Sequence, residues 1–416
     1  MSVWRIAGGN RLEGSIRVQG AKNAVLPMIA ASLLTGCETE FLNCPALSDV
    51  EAAVDILRYL GCKARQEDDV LNIDSRDLCR SDIPSELMHR MRSSVIFLGP
   101  LLARCGEVRA SVPGGCELGP RPIDLHLEAL RRLGAEVEER EGEIVCRAVK
   151  LRGAEISLSL PSVGATENAM LAACAAEGPS VIYNAAREPE IESLQEYLCR
   201  LGAKVSGAGT PVVTVNGFHP CGSVGLRVMP DRIAAATLLC CTACVGGDVE
   251  LQAVCPEHLE PVIVSLAEMG CRIFASGNRL RIISGGRLRA PRAIVTRPYP
   301  GFPTDAAPLL MAVSLRAEGS TVFIENIFSS RYRHASELRL LGADISTHGS
   351  LALVNGVETL HGARLHSTDL RGGAALVAAA LGAEGETEIF DEGHIGRGYS
   401  SLDGDLRRLG ADIRVE

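Results

Sequence analysis

Leu130-Arg131-Arg132-Leu133-Gly134-Ala135-Glu136-Val137 ends one kind of sequence pattern and begins another. Upstream, Ile123, Leu127, Leu130 and Leu133 recur at helical spacing, with Glu128, Arg131 and Arg132 elsewhere. That spacing predicts an amphipathic helix from Ile123 to Leu133. Gly134 stops it, and Ala135–Val137 starts a strand. The same octet, Leu-x-x-(Leu/Met)-Gly-(Ala/Cys)-x-apolar, occurs six times, with its glycine at Gly61, Gly134, Gly202, Gly270, Gly342 and Gly410, spaced 73, 68, 68, 72 and 68 residues apart. A second mark, a glycine before a short polar stretch and alternating apolar residues, falls at Gly36, Gly106, Gly178, Gly247, Gly319 and Gly385. Two marks with one period of about 70 residues define an internal repeat.

Each repeat reads as the same small unit. Before the second kind of glycine lies a nearly all-apolar run, such as Leu26–Leu34 or Glu167–Ala176. Such runs predict helices buried on every side, ended at C′ by the glycine. A period-2 strand follows, as in Thr321-Val-Phe-Ile-Glu325, then the amphipathic helix, then further strands. Six units of two helices and three or four strands predict an α/β protein of two pseudo-symmetric domains, three repeats each. A doubly wound parallel sheet does not fit. A solenoid has shorter repeats, and a propeller blade lacks the buried helix.

The 416 residues, 46% hydrophobic and 22% charged, exclude a disordered, collagen-like or coiled-coil chain. A net charge of −9 argues against a nucleic-acid binder, so an anionic ligand needs a local cluster of cations. The longest apolar run, Ile233–Val245, is too short to span a bilayer, so no membrane insertion is expected. The start, Met1–Gly14, lacks a signal-peptide pattern, and fifteen cysteines then imply reduced thiols in a cytoplasm. Cys241 and Cys244 have CxxC spacing but sit in an apolar helical run without a second ligand pair, which favours core packing over metal or redox work. Positive charge is carried almost wholly by arginine, the lysines being Lys22, Lys63, Lys150 and Lys204. Walker A, HExxH and GxSxG motifs are missing.

Polar residues collect where each buried helix begins: Gly20-Ala-Lys22-Asn23, Met91-Arg92-Ser93-Ser94, Pro161-Ser162-Val163-Gly164-Ala165-Thr166, Pro230-Asp231-Arg232, Gly301-Phe-Pro-Thr304-Asp305 and Asp369-Leu370-Arg371-Gly372. Helix starts offer unpaired N–H groups and a positive dipole end, which favour anions. Ser162, Thr166 and Asp231 read equally well as N-caps. Capping does not account for Lys22, Arg92, Arg232 and Arg371, which are unfavourable there without an anionic partner, a phosphate or a carboxylate. Pro113-Gly-Gly-Cys116-Glu-Leu-Gly-Pro-Arg121-Pro122 has three glycines and three prolines in ten residues, an irregular loop. Arg121 near Cys116 favours its thiolate, and such a loop could deliver the sulfur as a lid.

These residues resemble the UDP-N-acetylglucosamine 1-carboxyvinyltransferase family, end to end. The match runs through Gly20–Ala24, Leu47–Val50, Pro113–Cys116, Arg121–His126, Ser162–Asn168, Asn184–Glu190, Pro230–Arg232, Gly301–Asp305 and His394–Tyr399. The resemblance implies an inside-out α/β barrel, with one domain at 22–229 and the other at 1–21 plus 230–416, and an active site in the cleft between. It implies transfer of the enolpyruvyl group of phosphoenolpyruvate to the 3-hydroxyl of UDP-N-acetylglucosamine, releasing phosphate, by addition and elimination. That is the first committed step of peptidoglycan synthesis. Cys116 corresponds to the lid cysteine that protonates the enol carbon and is the target of fosfomycin. Asp305 corresponds to the carboxylate that takes the hydroxyl proton. Lys22, Arg121 and Arg397 correspond to cations around the donor phosphate, with Arg331 and Arg371 nearby. Asn23, Arg92, Arg121, Pro122, Ile123, Asp124, Leu125, Ser162, Val163, Gly164, Arg232 and Ile327 complete the substrate-binding set. No metal or cofactor is implied. Ala307 stands where a Gln is common, Gly396 where an Asp is, and Leu160-Pro161 where some members carry a Lys-containing pair.

Two alternatives remain. A 3-phosphoshikimate 1-carboxyvinyltransferase shares fold and donor but lacks the PGGC lid. A non-catalytic nucleotide-sugar-binding paralogue would need no proton donor, yet Lys22, Cys116, Asp305 and Arg397 are all present.

Overall fold

The computed structural model describes residues 1–112, 123–285 and 287–416. Two compact units divide it, one built from 20–112 and 123–229, the other from Met1–Gln19 and Pro230–Glu416. Each holds three four-stranded sheets, each unit has its own apolar core, and the architecture is α/β with six repeats.

Apolar composition makes the central helices. In the first unit these are α1 (Lys22–Ala31), α2 (Leu98–Cys105) and α3 (Val163–Ala173), and α1 and α2 both pack on α3. In the second they are α4 (Arg232–Val245), α5 (Ala307–Ser314) and α6 (Leu370–Leu381), packed on one another. In α6 every side chain from Arg371 to Leu381 is buried. Removing these surfaces from water is the main driving force, roughly 1.5–3 kcal/mol for each large aliphatic side chain. The amphipathic helices cover the sheets. Asp124–Arg132 buries Leu127 and Leu130, as its spacing predicts, together with His126 and Ala129. Cys241 lies wholly inside α4, its thiol pushed up to about 12 by burial, as suits a packing group.

All twelve repeat glycines adopt positive φ, and the octet set lies between 92° and 110°. Their role after the buried helices differs from expectation. Only Gly106 caps its helix directly. Gly246, rather than Gly247, follows α4. Elsewhere the helix ends several residues earlier in i→i+3 turns, such as Ala176 N–H to Ala173 C=O, and the glycine then turns the chain into the strand. The tighter turns satisfy the last carbonyls, so no left-handed cap is needed there. Two strands are also shifted slightly, to Glu136–Arg140 and Ser320–Ile324.

Each sheet joins a parallel edge strand to three antiparallel ones. Glu155–Ser157 runs parallel to Ser180–Tyr183, which pairs antiparallel with Val212–Phe218, itself paired with Ala203–Ser206. Two edge strands are exchanged between repeats. Leu12–Arg17 leads towards α1 but pairs with Gly247–Gln252, and Val224–Arg227 leads towards α4 but pairs with Glu38–Leu42. Ser2–Ala7 lies between Glu386–Asp391 and Asp412–Val415, so the two ends of the chain finish one sheet. Among the described residues no helix is long and apolar enough to cross a membrane.

Candidate functional site

The first unit presents its polar residues at helix starts. Lys22 is the first residue of α1, 8% exposed, and its Nζ lies 3.0 Å from Asp49 Oδ2. Asp49 sits in the first turn of the helix Ser48–Tyr59, itself buried. Asn23 beside it is exposed. Arg92 opens the 3-10 turn Arg92–Phe97 that runs into α2 and is half-buried. Ser162 caps α3, accepting the Ala165 N–H at 3.4 Å, and Val163 and Gly164 follow, half-buried. Thr166 is not a cap. Its hydroxyl donates to the Ser162 carbonyl and accepts the Ala186 N–H, tying the helix to the chain just after the strand Ser180–Tyr183. Gly164 packs closely on His126: a Cβ there would meet Cε1 at 3.0 Å, and the ring would have to give by a few tenths of an ångström. Burial drives the His126 pKa down to about 4, and the neutral ring faces the Asn168 amide at 3.2 Å. Ile123 and Leu125 are half-buried and Asp124 exposed at the start of their helix. Cys116, Arg121 and Pro122 lie outside the described residues.

The second unit gathers an ionic cluster. Asp305 stands in the 3-10 turn Thr304–Ala306 that enters α5, its side chain 29% exposed. Oδ1 lies 2.7 Å from Arg331 Nη2 and Oδ2 lies 3.1 Å from Arg371 Nε. Both guanidinium groups are almost wholly buried, Arg331 being 1% and Arg371 3% exposed. Arg331 also donates from Nε and Nη2 to the Thr304 carbonyl, at 3.0 and 2.7 Å. Arg371 Nη1 donates to the Tyr399 hydroxyl at 3.1 Å. Tyr399 reaches Thr237 Oγ1 at 2.8 Å, and because Thr237 already donates to the Ile233 carbonyl, Tyr399 is the donor there. Burial opposes the charge on Arg371, but the Tyr399, Asp305 and Asp231 oxygens outweigh it and raise its pKa.

Asp231 and Asp369 cap α4 and α6, each accepting two backbone N–H groups. These carboxylates supply part of the anionic partnership that the cations at the helix starts call for. The chain supplies Asp49 for Lys22 and Asp305 for Arg371, and the capping aspartates offset the dipole at two of the starts. Arg232, next to the Asp231 cap, lies with its guanidinium 5.8 Å from the Tyr299 ring centre. Arg397 closes the 3-10 turn Ile395–Arg397, half-buried. Asp391 caps that turn, and Gln19 holds its exit by donating to the Gly398 carbonyl and accepting the Ser400 N–H. Gly396 has open space around it. Ile327 is 39% exposed, its N–H bound by Glu325. None of these residues lines the open groove of about 680 Å³ over Glu38, Glu40, Lys63, Arg65 and Asn72.

Three partners stand out only in three dimensions: Asp49, Tyr399 and Glu325. Asp49 and Tyr399 belong to matched stretches but carry no signal of their pairing. Glu325 carries a weak one, because strand alternation places it inward with Thr321 and Phe323, where a charge is out of place.

The sequence profile of the EPSP synthase (3-phosphoshikimate 1-carboxyvinyltransferase) family matches residues 6–406. The fold agrees: an enolpyruvyl transferase, NikO from Streptomyces tendae, superposes with a TM-score of 0.89 at 26% identity, covering 100% of this chain and 98% of its own. An EPSP synthase from Acinetobacter baumannii, 20% identical with a TM-score of 0.75, shares the fold over the full length of both chains. Together these define an enolpyruvyl-transferase fold of six pseudo-repeats.

Sequence identity narrows the class. A UDP-N-acetylglucosamine 1-carboxyvinyltransferase 2 of Caldanaerobacter subterraneus is 46% identical over 99% of both chains. A UDP-N-acetylglucosamine 1-carboxyvinyltransferase 1 of Symbiobacterium thermophilum is 48% identical over 98% of this chain and 94% of its own. The chain belongs to the EPSP synthase family, in the branch of the UDP-N-acetylglucosamine 1-carboxyvinyltransferases.

Proposed function

We propose that the protein transfers the enolpyruvyl group of phosphoenolpyruvate to the 3-hydroxyl of UDP-N-acetylglucosamine and releases phosphate, the first committed step of peptidoglycan synthesis. The observation that carries this reading is the 46–48% identity, over nearly the whole length, to relatives bearing that name. The 3-phosphoshikimate alternative has the family profile and a 20% likeness to a solved structure, which speak for family and fold alone. The cytoplasm is the proposed setting, on cysteine usage.

In the proposed addition, the 3-hydroxyl oxygen bonds to C2 of phosphoenolpyruvate, its proton passes to Asp305, and Cys116 supplies a proton to C3, which becomes a methyl group. In the elimination the C2–O bond to phosphate breaks, the departing phosphate takes the proton held by Asp305, and the methyl group returns a proton to the Cys116 thiolate, restoring the double bond. Asp305 is placed for the first transfer, its carboxylate held by two buried guanidinium groups while 29% of the side chain reaches solvent. Lys22, Arg121, Arg331, Arg371 and Arg397 would meet the donor's phosphate and carboxylate charges. Asn23, Arg92, Pro122–Leu125, Ser162–Gly164, Arg232 and Ile327 would hold the nucleotide sugar.

Phosphate release measured with each substrate alone and with both decides the reading. Release is expected only when both are present, and none with shikimate 3-phosphate as acceptor. Binding of both substrates without release would establish the non-catalytic paralogue instead. Cys116, alone among fifteen cysteines, should be alkylated rapidly by fosfomycin when nucleotide sugar is present. Peptide mapping that finds another thiol modified first would remove Cys116 from its role.

A further inference from the structure

We propose that Glu325 is a positioning residue that locks the acceptor-contact segment to the turn carrying Asp305. This rests on the function proposed above, since it assigns Asp305 and Ile327 to one acceptor. Glu325 follows the strand Ser320–Ile324 and is 4% exposed. Both carboxylate oxygens are engaged. Oε1 accepts the N–H groups of Ile327 and Phe328 at 2.7 and 3.0 Å, and Oε2 accepts the Thr304 hydroxyl at 2.9 Å. A carboxylate taken out of water at this cost is retained where its several bonds enforce one geometry.

The two halves of this grip do different things. The Oε1 half folds residues 325–328 back on themselves, so Ile327 emerges from the sheet with a fixed backbone. The Oε2 half holds Thr304, and the Thr304 carbonyl in turn receives Arg331, the same guanidinium that binds Asp305. Thr304 is therefore gripped from its side chain by Glu325 and from its carbonyl by Arg331. The residue after it, Asp305, has little freedom to drift. Misplacement of a reacting group by about 1 Å can cost 10²-fold in rate, so a bond that fixes the Asp305 turn bears on the chemical step. A bond that fixes only the Ile327 segment bears on acceptor affinity.

The structure thus separates two effects that one glutamate combines. Thr304→Val removes the Oε2 link and leaves both N–H bonds. It should lower kcat about tenfold while leaving acceptor affinity, measured by calorimetry with UDP-N-acetylglucosamine, within about twofold. Thr304→Ser restores the hydroxyl and should restore kcat. Glu325→Ala should lower kcat and also weaken acceptor binding about tenfold. The double variant should have the kcat of Glu325→Ala alone, because both changes remove the same link.

Amide hydrogen exchange supplies a readout that needs no turnover. Exchange in the Thr304–Ala306 turn should rise in both single variants, and exchange at Ile327 and Phe328 only in Glu325→Ala. If the wild type releases no phosphate, the enzymatic reading falls and the exchange pattern alone decides the link. An unchanged Thr304–Ala306 turn, a Thr304→Ser variant as slow as Thr304→Val, or kcat losses that multiply in the double variant would each overturn the proposal.

Discussion

Asp305 is the residue on which the second unit's electrostatics converge. Replacing it with Asn leaves Arg331 and Arg371 buried with one charge fewer to balance them. Asp305→Asn should lower kcat by about 10²–10⁴ as a proton acceptor is lost, and should destabilise the unit by about 1–3 kcal/mol. Phosphate release and urea denaturation measure the two losses separately. Glu167 makes the opposite case. It is buried in α3, with Oε1 lacking a hydrogen-bond partner among the described residues. Burial first, then the charges of Glu190 and Glu188, pushes its carboxyl well above the ordinary carboxylate range. A group with a raised folded pKa contributes stability below its unfolded value and loses it as pH climbs through the folded one. Glu167→Gln should therefore stabilise the protein at pH 8, on the order of 1 kcal/mol, and much less at pH 4. A variant less stable than wild type at pH 8 would show the carboxylate to be satisfied. Neither environment is legible locally, because both depend on neighbours many residues away.

At the scale of the element, the repeat glycines are legible in the sequence and their surroundings are not. Gly134 and Gly202 occupy the same place in successive repeats, with φ of 92° and 105°. A Cβ on Gly134 would meet its nearest atom at 3.9 Å, whereas one on Gly202 would lie 1.9 Å from the His219 carbonyl oxygen. Gly134→Ala should cost only the left-handed strain, about 1–2 kcal/mol, and Gly202→Ala distinctly more, compared by urea midpoints. Equal losses would mean that the chain at His219 yields freely. The buried helices teach the same lesson. Their apolar runs announce them, and polar starts such as Asp231 and Asp369 announce the caps, but which carboxylate answers which cation depends on how the elements pack. Thr166 shows the limit: it resembles a cap by position, yet its hydroxyl bonds the Ser162 carbonyl and the Ala186 N–H instead.

Across the whole molecule, each unit carries one buried histidine among the described residues. Burial drives His126 in one and His334 in the other down to about 4, from 6.5. The folded protein binds fewer protons at these sites than the unfolded chain between those pH values. Their neutral packing therefore contributes stability in full above about pH 6.5, and that contribution declines as pH falls towards about 4. The urea midpoint should drop through this window, and His126→Asn should flatten the profile in the unit that holds it, even if it lowers the plateau. A profile of unchanged steepness would assign the acid sensitivity elsewhere. From sequence alone come the six repeats, the α/β class, the buried helices and the polar residues that begin them. All are local or periodic patterns, set by side-chain hydrophobicity and by glycine's tolerance of positive φ. Tertiary structure alone decided that Leu12–Arg17 and Val224–Arg227 exchange sheets, that Lys22 meets Asp49, and that Arg331 and Arg371 close on Asp305. Such pairings join residues tens to hundreds of positions apart, and the free energy that selects them comes from burial and charge balance in the folded state, which no local pattern records.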